Sequence, residues 1–126
     1  MRERAAERGK ENWEVTVGFE GWLGDERDIR EKHAHRWVKE WSFYSEKGLS
    51  PEAEAGDTLE SIEDMFLCLG NKQKWIDRMG EMKEKANPDW LCIRTRNPVN
   101  PGQHYPSRSE CLEQVERFGE ILDDIR

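Results

Sequence analysis

From Trp13 the chain alternates, with Trp13, Val15, Val17 and Phe19 on one side and Glu14, Thr16, Gly18 and Glu20 on the other. A period of two carried by β-branched and aromatic residues predicts a strand with one buried face. Gly21 and Gly24 bracket Trp22 and Leu23, which predicts a turn. Asp25 then stands as an N-cap, with Glu26 and Asp28 in the first turn of a helix. Its apolar stripe is Ile29, Trp37, Val38, Trp41 and Tyr44, and Gly48 ends it after Lys47.

Ser50-Pro51 is a short helix start that Gly56 interrupts, and Asp57 with Glu60 makes a capping-box-like start. Leu59, Ile62, Phe66 and Leu69 then form the inner face of a helix that stops at Gly70. Asn71 caps a third helix through Lys85, with Trp75, Ile76, Met79 and Met82 inward, until Asn87-Pro88 stops it. Trp90 to Thr95 reads as a second strand paired with the first. The proline-rich stretch from Asn97 to Pro106 is a loop. Ser107 with Glu110 makes another capping box, and Leu112, Val115, Phe118, Leu122 and Ile125 give a final amphipathic helix. The order β, α, α, α, β, α predicts an α+β fold, a small two-stranded or slightly larger antiparallel sheet packed against about four helices. Residues 13–126 form one such domain, and residues 1–12 are a charged arm.

Composition sharpens this picture. Only 35% of the chain is hydrophobic and 37% is charged, yet six Trp and four Phe are more aromatic mass than a disordered chain carries. The core is therefore thin, and Trp supplies much of it. No apolar run approaches the roughly 18 residues of a membrane span, and the first residues lack a signal-like apolar segment. An intracellular, cytoplasmic protein is expected, with Cys68, Cys92 and Cys111 as reduced thiols that pack as small core residues. Their odd number and spacing point to neither a disulfide framework nor zinc, and no pattern calls for a metal or a cofactor.

The net charge is −7. Residues 50–66 carry six acids and no bases, and residues 110–126 carry six acids against Arg117 and Arg126. Between them, residues 71–109 carry eight bases against four acids. An acidic protein with a basic middle segment follows.

That segment holds the first candidate site. Arg94 and Arg96 share a strand face, Arg108 follows at a helix start, and Gln103, His104, Tyr105, Ser107 and Ser109 add donors. Together they suit a phosphate, a nucleotide or a nucleic acid, unless the arginines simply face solvent or pair with the acidic blocks. The second candidate is His33 and His35, about 200° apart on a helix and so unable to share a metal without a bend. Arg30 followed by His35 resembles the arginine-then-histidine spacing of HEPN-type ribonucleases. That resemblance covers two residues and implies RNA cleavage; a His-dependent ribonuclease or hydrolase using His33, His35 or His104 is the corresponding alternative.

Asp57, Glu60, Glu63 and Asp64 fit the solvated side of their helix, where they would meet a partner. Trp13, Trp37, Trp41, Trp75 and Trp90 fall on inner faces, whereas Trp22 on its glycine-flanked turn is the exposed aromatic suited to binding. Small size, acidity and the lack of a catalytic signature lead to one expectation. It is an interaction protein that binds a macromolecular partner as a regulator, inhibitor or immunity-type protein, with an Arg-lined anion site as the alternative.

Overall fold

The computed structural model describes residues 14–50, 58–95 and 106–125, together with Glu3, Glu7, Gly9 and Gly56. The rest of the arm, Trp13, residues 51–55 of the expected short helix start, Asp57 and the stretch from Arg96 to Tyr105 lie outside the described residues. No helix among the described residues is long and apolar enough to cross a membrane.

The alternating stretch forms β1 (Thr16–Leu23), which runs through the glycine-flanked Trp22 instead of turning before it. Asp25 caps α1 (Glu26–Lys32) by accepting from the Asp28 backbone at 3.0 Å. The helix expected to continue to Lys47 breaks at His33, whose backbone leaves helical geometry, and restarts as α2 (Ala34–Lys47). Thr58 and Ser61 make a reciprocal capping box at the start of α3 (Leu59–Met65). The run LCLG, expected as the end of that helix, is instead β2 (Leu67–Gly70). Asn71 caps α4 (Lys72–Ala86), β3 follows at Trp90–Arg94, and α5 spans Arg108–Ile125.

The sheet corrects the expected one in direction. Its three strands lie in the order β2-β1-β3, and both pairings are parallel, not antiparallel. The described residues form five helices where about four were expected. Each strand returns to the sheet through helices, and a helical crossover brings the chain back in the same direction, so parallel pairing follows from the connections. Central β1 is consequently buried on both faces over its second half: Phe19, Glu20, Trp22 and Leu23 are all below a tenth exposed.

The two faces hold two cores. On one, Trp22, Leu67 and Leu69 meet Ile29, Ala34, Trp37, Trp41 and Ile62 from α1, α2 and α3. On the other, Phe19, Leu23 and Cys68 meet Trp75 and Met79 of α4 and Phe118 and Ile121 of α5. The inner face of α5 is shifted from the expected one: Gln114, Phe118 and Ile121 are buried while Leu112, Val115 and Leu122 are exposed.

The first three helices cover β2 and β1 and leave the same face of β3 bare. Trp90, expected inward, is 59% exposed, and Cys92 is exposed rather than core. The burial assignments of Trp22 and Trp90 are thus exchanged. Central-strand position buries the first, and edge-strand position exposes the second.

Candidate functional site

Where α2 and α3 stop short of β3, a cleft of about 680 Å³ opens on the sheet face. Its floor is Gly18 and Glu20 of β1 with Cys92 and Arg94 of β3; its walls are Trp37, Glu40, Trp41 and Tyr44 of α2 and Met65 and Phe66 beside α3. Period-two alternation puts the four floor residues on one face, and register places Gly18 beside Cys92 and Glu20 beside Arg94. The wall follows from helical spacing, since residues 37, 40, 41 and 44 lie on one side of α2.

Most of the lining is aromatic. Trp41 packs on Phe66 at 4.9 Å between ring centres and edge-on to Tyr44 at 6.2 Å. Gly18 leaves the floor bare: a Cβ built there would meet nothing within 4 Å.

Against this apolar lining stand three polar features. Glu20, 8% exposed, pairs with Arg94, whose side chain is 55% exposed, so this ion pair reaches the solvent side. Glu40, 5% exposed, accepts the Tyr44 hydroxyl on Oε1 at 2.6 Å, while its Oε2 is buried with no hydrogen-bond partner among the described residues. The indole Nε1 of Trp37 is likewise buried and unpartnered. Native proteins rarely leave such atoms unmet, because each costs about 1–3 kcal/mol when desolvated.

Burial pushes the Glu40 carboxyl above its ordinary 4.5, with the Tyr44 hydrogen bond opposing. It pushes the Tyr44 hydroxyl up to about 12, reinforced by Glu40. The folded state therefore holds the Glu40 proton over a window in which the unfolded chain has lost it. Its contribution is most favourable below that window and is lost as pH rises through the folded value. Glu40→Gln keeps an acceptor for Tyr44 and removes the ionisation. It is expected to raise the urea midpoint at neutral pH, with the gain fading toward about pH 4. An unchanged midpoint at neutral pH would mean that Glu40 already has a partner.

Those candidates from sequence that fall on described residues are dispersed. Arg94 lines the cleft but is committed to Glu20. At the start of α5, Glu110 accepts the Ser107 backbone N–H at 2.7 Å and donates its own N–H to Ser107 Oγ at 3.2 Å, so the chain's own carboxylate occupies that helix end. Ser109 bonds Ser107 there, Arg108 is exposed, and Arg96, Gln103, His104 and Tyr105 lie outside the described residues. His33 is buried at the α1–α2 junction, stacked on Trp22 at 4.6 Å, and burial lowers its pKa; His35 is exposed. Arg30 is held by Glu26 and Glu63 at 3.1 and 2.8 Å.

Among the acids offered to a partner, Glu63 also binds Lys74 at 3.1 Å and its side chain is 14% exposed, whereas Glu60 and Asp64 are exposed. Trp22 is buried and unavailable as a surface anchor.

Glu40 and Gly18 escaped the sequence reading, yet a signal was there. A glutamate three residues after Trp37 and four before Tyr44 must share their inward face.

Comparison with protein-family models, with curated proteins and with solved structures finds no match to this chain.

Proposed function

We propose that this protein acts by binding, and that the cleft over β1 and β3 receives a small ligand with an apolar body and a hydrogen-bonding head. The observation that carries this reading is the pair of buried, unpartnered polar atoms, Glu40 Oε2 and Trp37 Nε1, in residues that line an aromatic cleft. Concave, largely apolar sites with a few placed polar groups are the usual form of a ligand pocket. A buried acid with a shifted pKa is more often found at such sites than elsewhere. Glu40 thus sits where it weakens the fold, which is the expected compromise at a site kept for binding.

A second reading, a macromolecular partner, is favoured by α5. Leu112, Val115 and Leu122 are 52%, 64% and 44% exposed and fall on one stripe. Glu113, Glu116, Glu120 and Asp123 flank it on the same helix. An amphipathic helix with a basic rim would match both the stripe and its acidic border.

One titration separates the two. Nile red, an uncharged apolar dye, is expected to brighten on binding the wild-type protein. Gly18→Leu fills the cleft floor from a position with open space, and is expected to abolish the signal without lowering stability. Signal kept in Gly18→Leu but lost in Val115→Asp would reject the cleft and favour α5.

A further inference from the structure

The charges around the cleft narrow what enters it. Two carboxylates, Glu20 and Glu40, and one cation, Arg94, belong to the lining. Arg94 and Glu20 neutralise each other, which leaves Glu40 as the one acid there without a cationic partner among the described residues. The remaining walls present Trp37, Trp41, Tyr44 and Phe66. Aromatic faces are negative and attract cations, and the attraction strengthens where water is excluded. An anion would meet the ring faces and an acid with Trp37 Nε1 as its one unpartnered donor among the described lining residues, whereas a cation carrying N–H donors is favoured by both the rings and Glu40.

We infer that the ligand of this cleft is an organic ammonium with an apolar body, which donates an N–H to Glu40 Oε2 and packs its alkyl or aryl part against Trp37, Trp41, Tyr44 and Phe66. This rests on the cleft being a ligand site. Glu40 Oε2 is buried against water as it stands, so the ammonium reaches it by a rotation of the carboxyl or of the neighbouring rings.

Binding is linked to proton release. Burial in the free protein favours the neutral acid and the bound ammonium favours the carboxylate, so the fraction of Glu40 that is protonated passes its proton to solvent when the ligand binds. No electrons move and no covalent bond to the ligand forms. Tyr44 on the same helix keeps its proton, its hydroxyl pushed up to about 12; the other groups lining the cleft are the paired Glu20 of β1 and Arg94 of β3, the Cys92 thiol of β3, and the uncharged Met65 and Phe66. Affinity is then expected to rise about tenfold per pH unit below the folded pKa of Glu40 and to level off above it.

The test uses three probes that share a phenyl body: 2-phenylethylammonium, the neutral 2-phenylethanol and the anionic phenylacetate. Each is titrated calorimetrically and by Nile red displacement against the whole chain. The ammonium is expected to bind at least about tenfold more tightly than either companion at neutral pH. Glu40→Gln is expected to remove that preference and the pH slope, so that the ammonium no longer binds more tightly than phenylethanol at any pH tested. Equal binding of the three, or a preference for phenylacetate, overturns the ammonium assignment and leaves the cleft as a site for neutral or anionic ligands. If none of the probes displaces the dye and Gly18→Leu leaves the dye signal intact, the cleft itself is rejected, and this inference with it.

Discussion

Gly21→Ala is expected to lower the stability of this protein by about 3 kcal/mol, at the upper end of what overpacking does. Gly21 sits mid-strand in β1 opposite Cys68 of β2. A Cβ there would lie 1.9 Å from the Cys68 carbonyl oxygen and 2.6 Å from Cζ2 of Trp75. The first of these is main chain inside a three-stranded sheet and cannot swing aside. The second belongs to a fully buried indole that also donates Nε1–H to the Trp22 carbonyl at 3.2 Å. One methyl therefore pushes β2 off β1 and lifts Trp75 from its hydrogen bond. A domain of this size has only about 5–15 kcal/mol in total. Gly80→Ala provides the comparison, because Gly80 lies on the exposed side of α4 with nothing within 4 Å. There the same substitution is expected to gain about 0.5–1 kcal/mol through helix propensity. Urea titrations of both variants measure the two signs. A loss under about 1 kcal/mol at Gly21 would mean that the strands separate more easily than this packing allows.

Much of the element list was legible in the chain, because caps and periods act locally. Asp25 and Asn71 cap as their positions predict, and the Ser107–Glu110 box forms as written. Sheet direction was not legible, because it depends on where a crossover lands, not on the strand's own residues. LCLG shows the ambiguity of a short apolar run: Leu69 continues the 59, 62, 66 helical spacing, yet Arg78 of α4 caps α3 by donating to the Glu63 and Asp64 carbonyls and the chain leaves the helix there.

The same limitation hid the candidate site. Gly18 and Glu20 fall on the side of β1 that alternation assigns to solvent, and only the placement of α2 over that side makes them a cleft floor. Arg94 stands out in the strand pattern as a guanidinium for an anion or for one of the chain's own acids. Parallel register sets it beside Glu20, which turns a free guanidinium into half of an ion pair. Local pattern places the side chain on a strand face, and long-range pairing decides which group it meets there.

Gln114→Leu is the other substitution with a large expected effect, on the order of 3 kcal/mol, and it probes how the last helix is fastened to the sheet. Gln114 is 2% exposed in the middle of an otherwise apolar face of α5. Its Oε1 accepts the Leu23 backbone N–H at 2.7 Å, and its Nε2 donates to the Leu23 carbonyl at 2.9 Å. The side-chain amide so completes the end of β1 as a further strand would, at the point where the β1–β3 register has already run out at Glu20 and Arg94. Leucine suits the apolar surroundings of that buried position, but it offers neither group. The Leu23 carbonyl retains Arg117 Nη1 at 3.3 Å, so the uncompensated loss falls on the N–H. The expected signature is accordingly specific. The urea midpoint drops, and amide exchange at Leu23 accelerates more than at Phe19, in the middle of the same strand, where the β1–β3 pairing is unchanged. Uniform acceleration along β1 would instead mean that α5 had undocked as a unit, and a change within about 0.5 kcal/mol would show that the amide pair contributes no more than an ordinary surface contact.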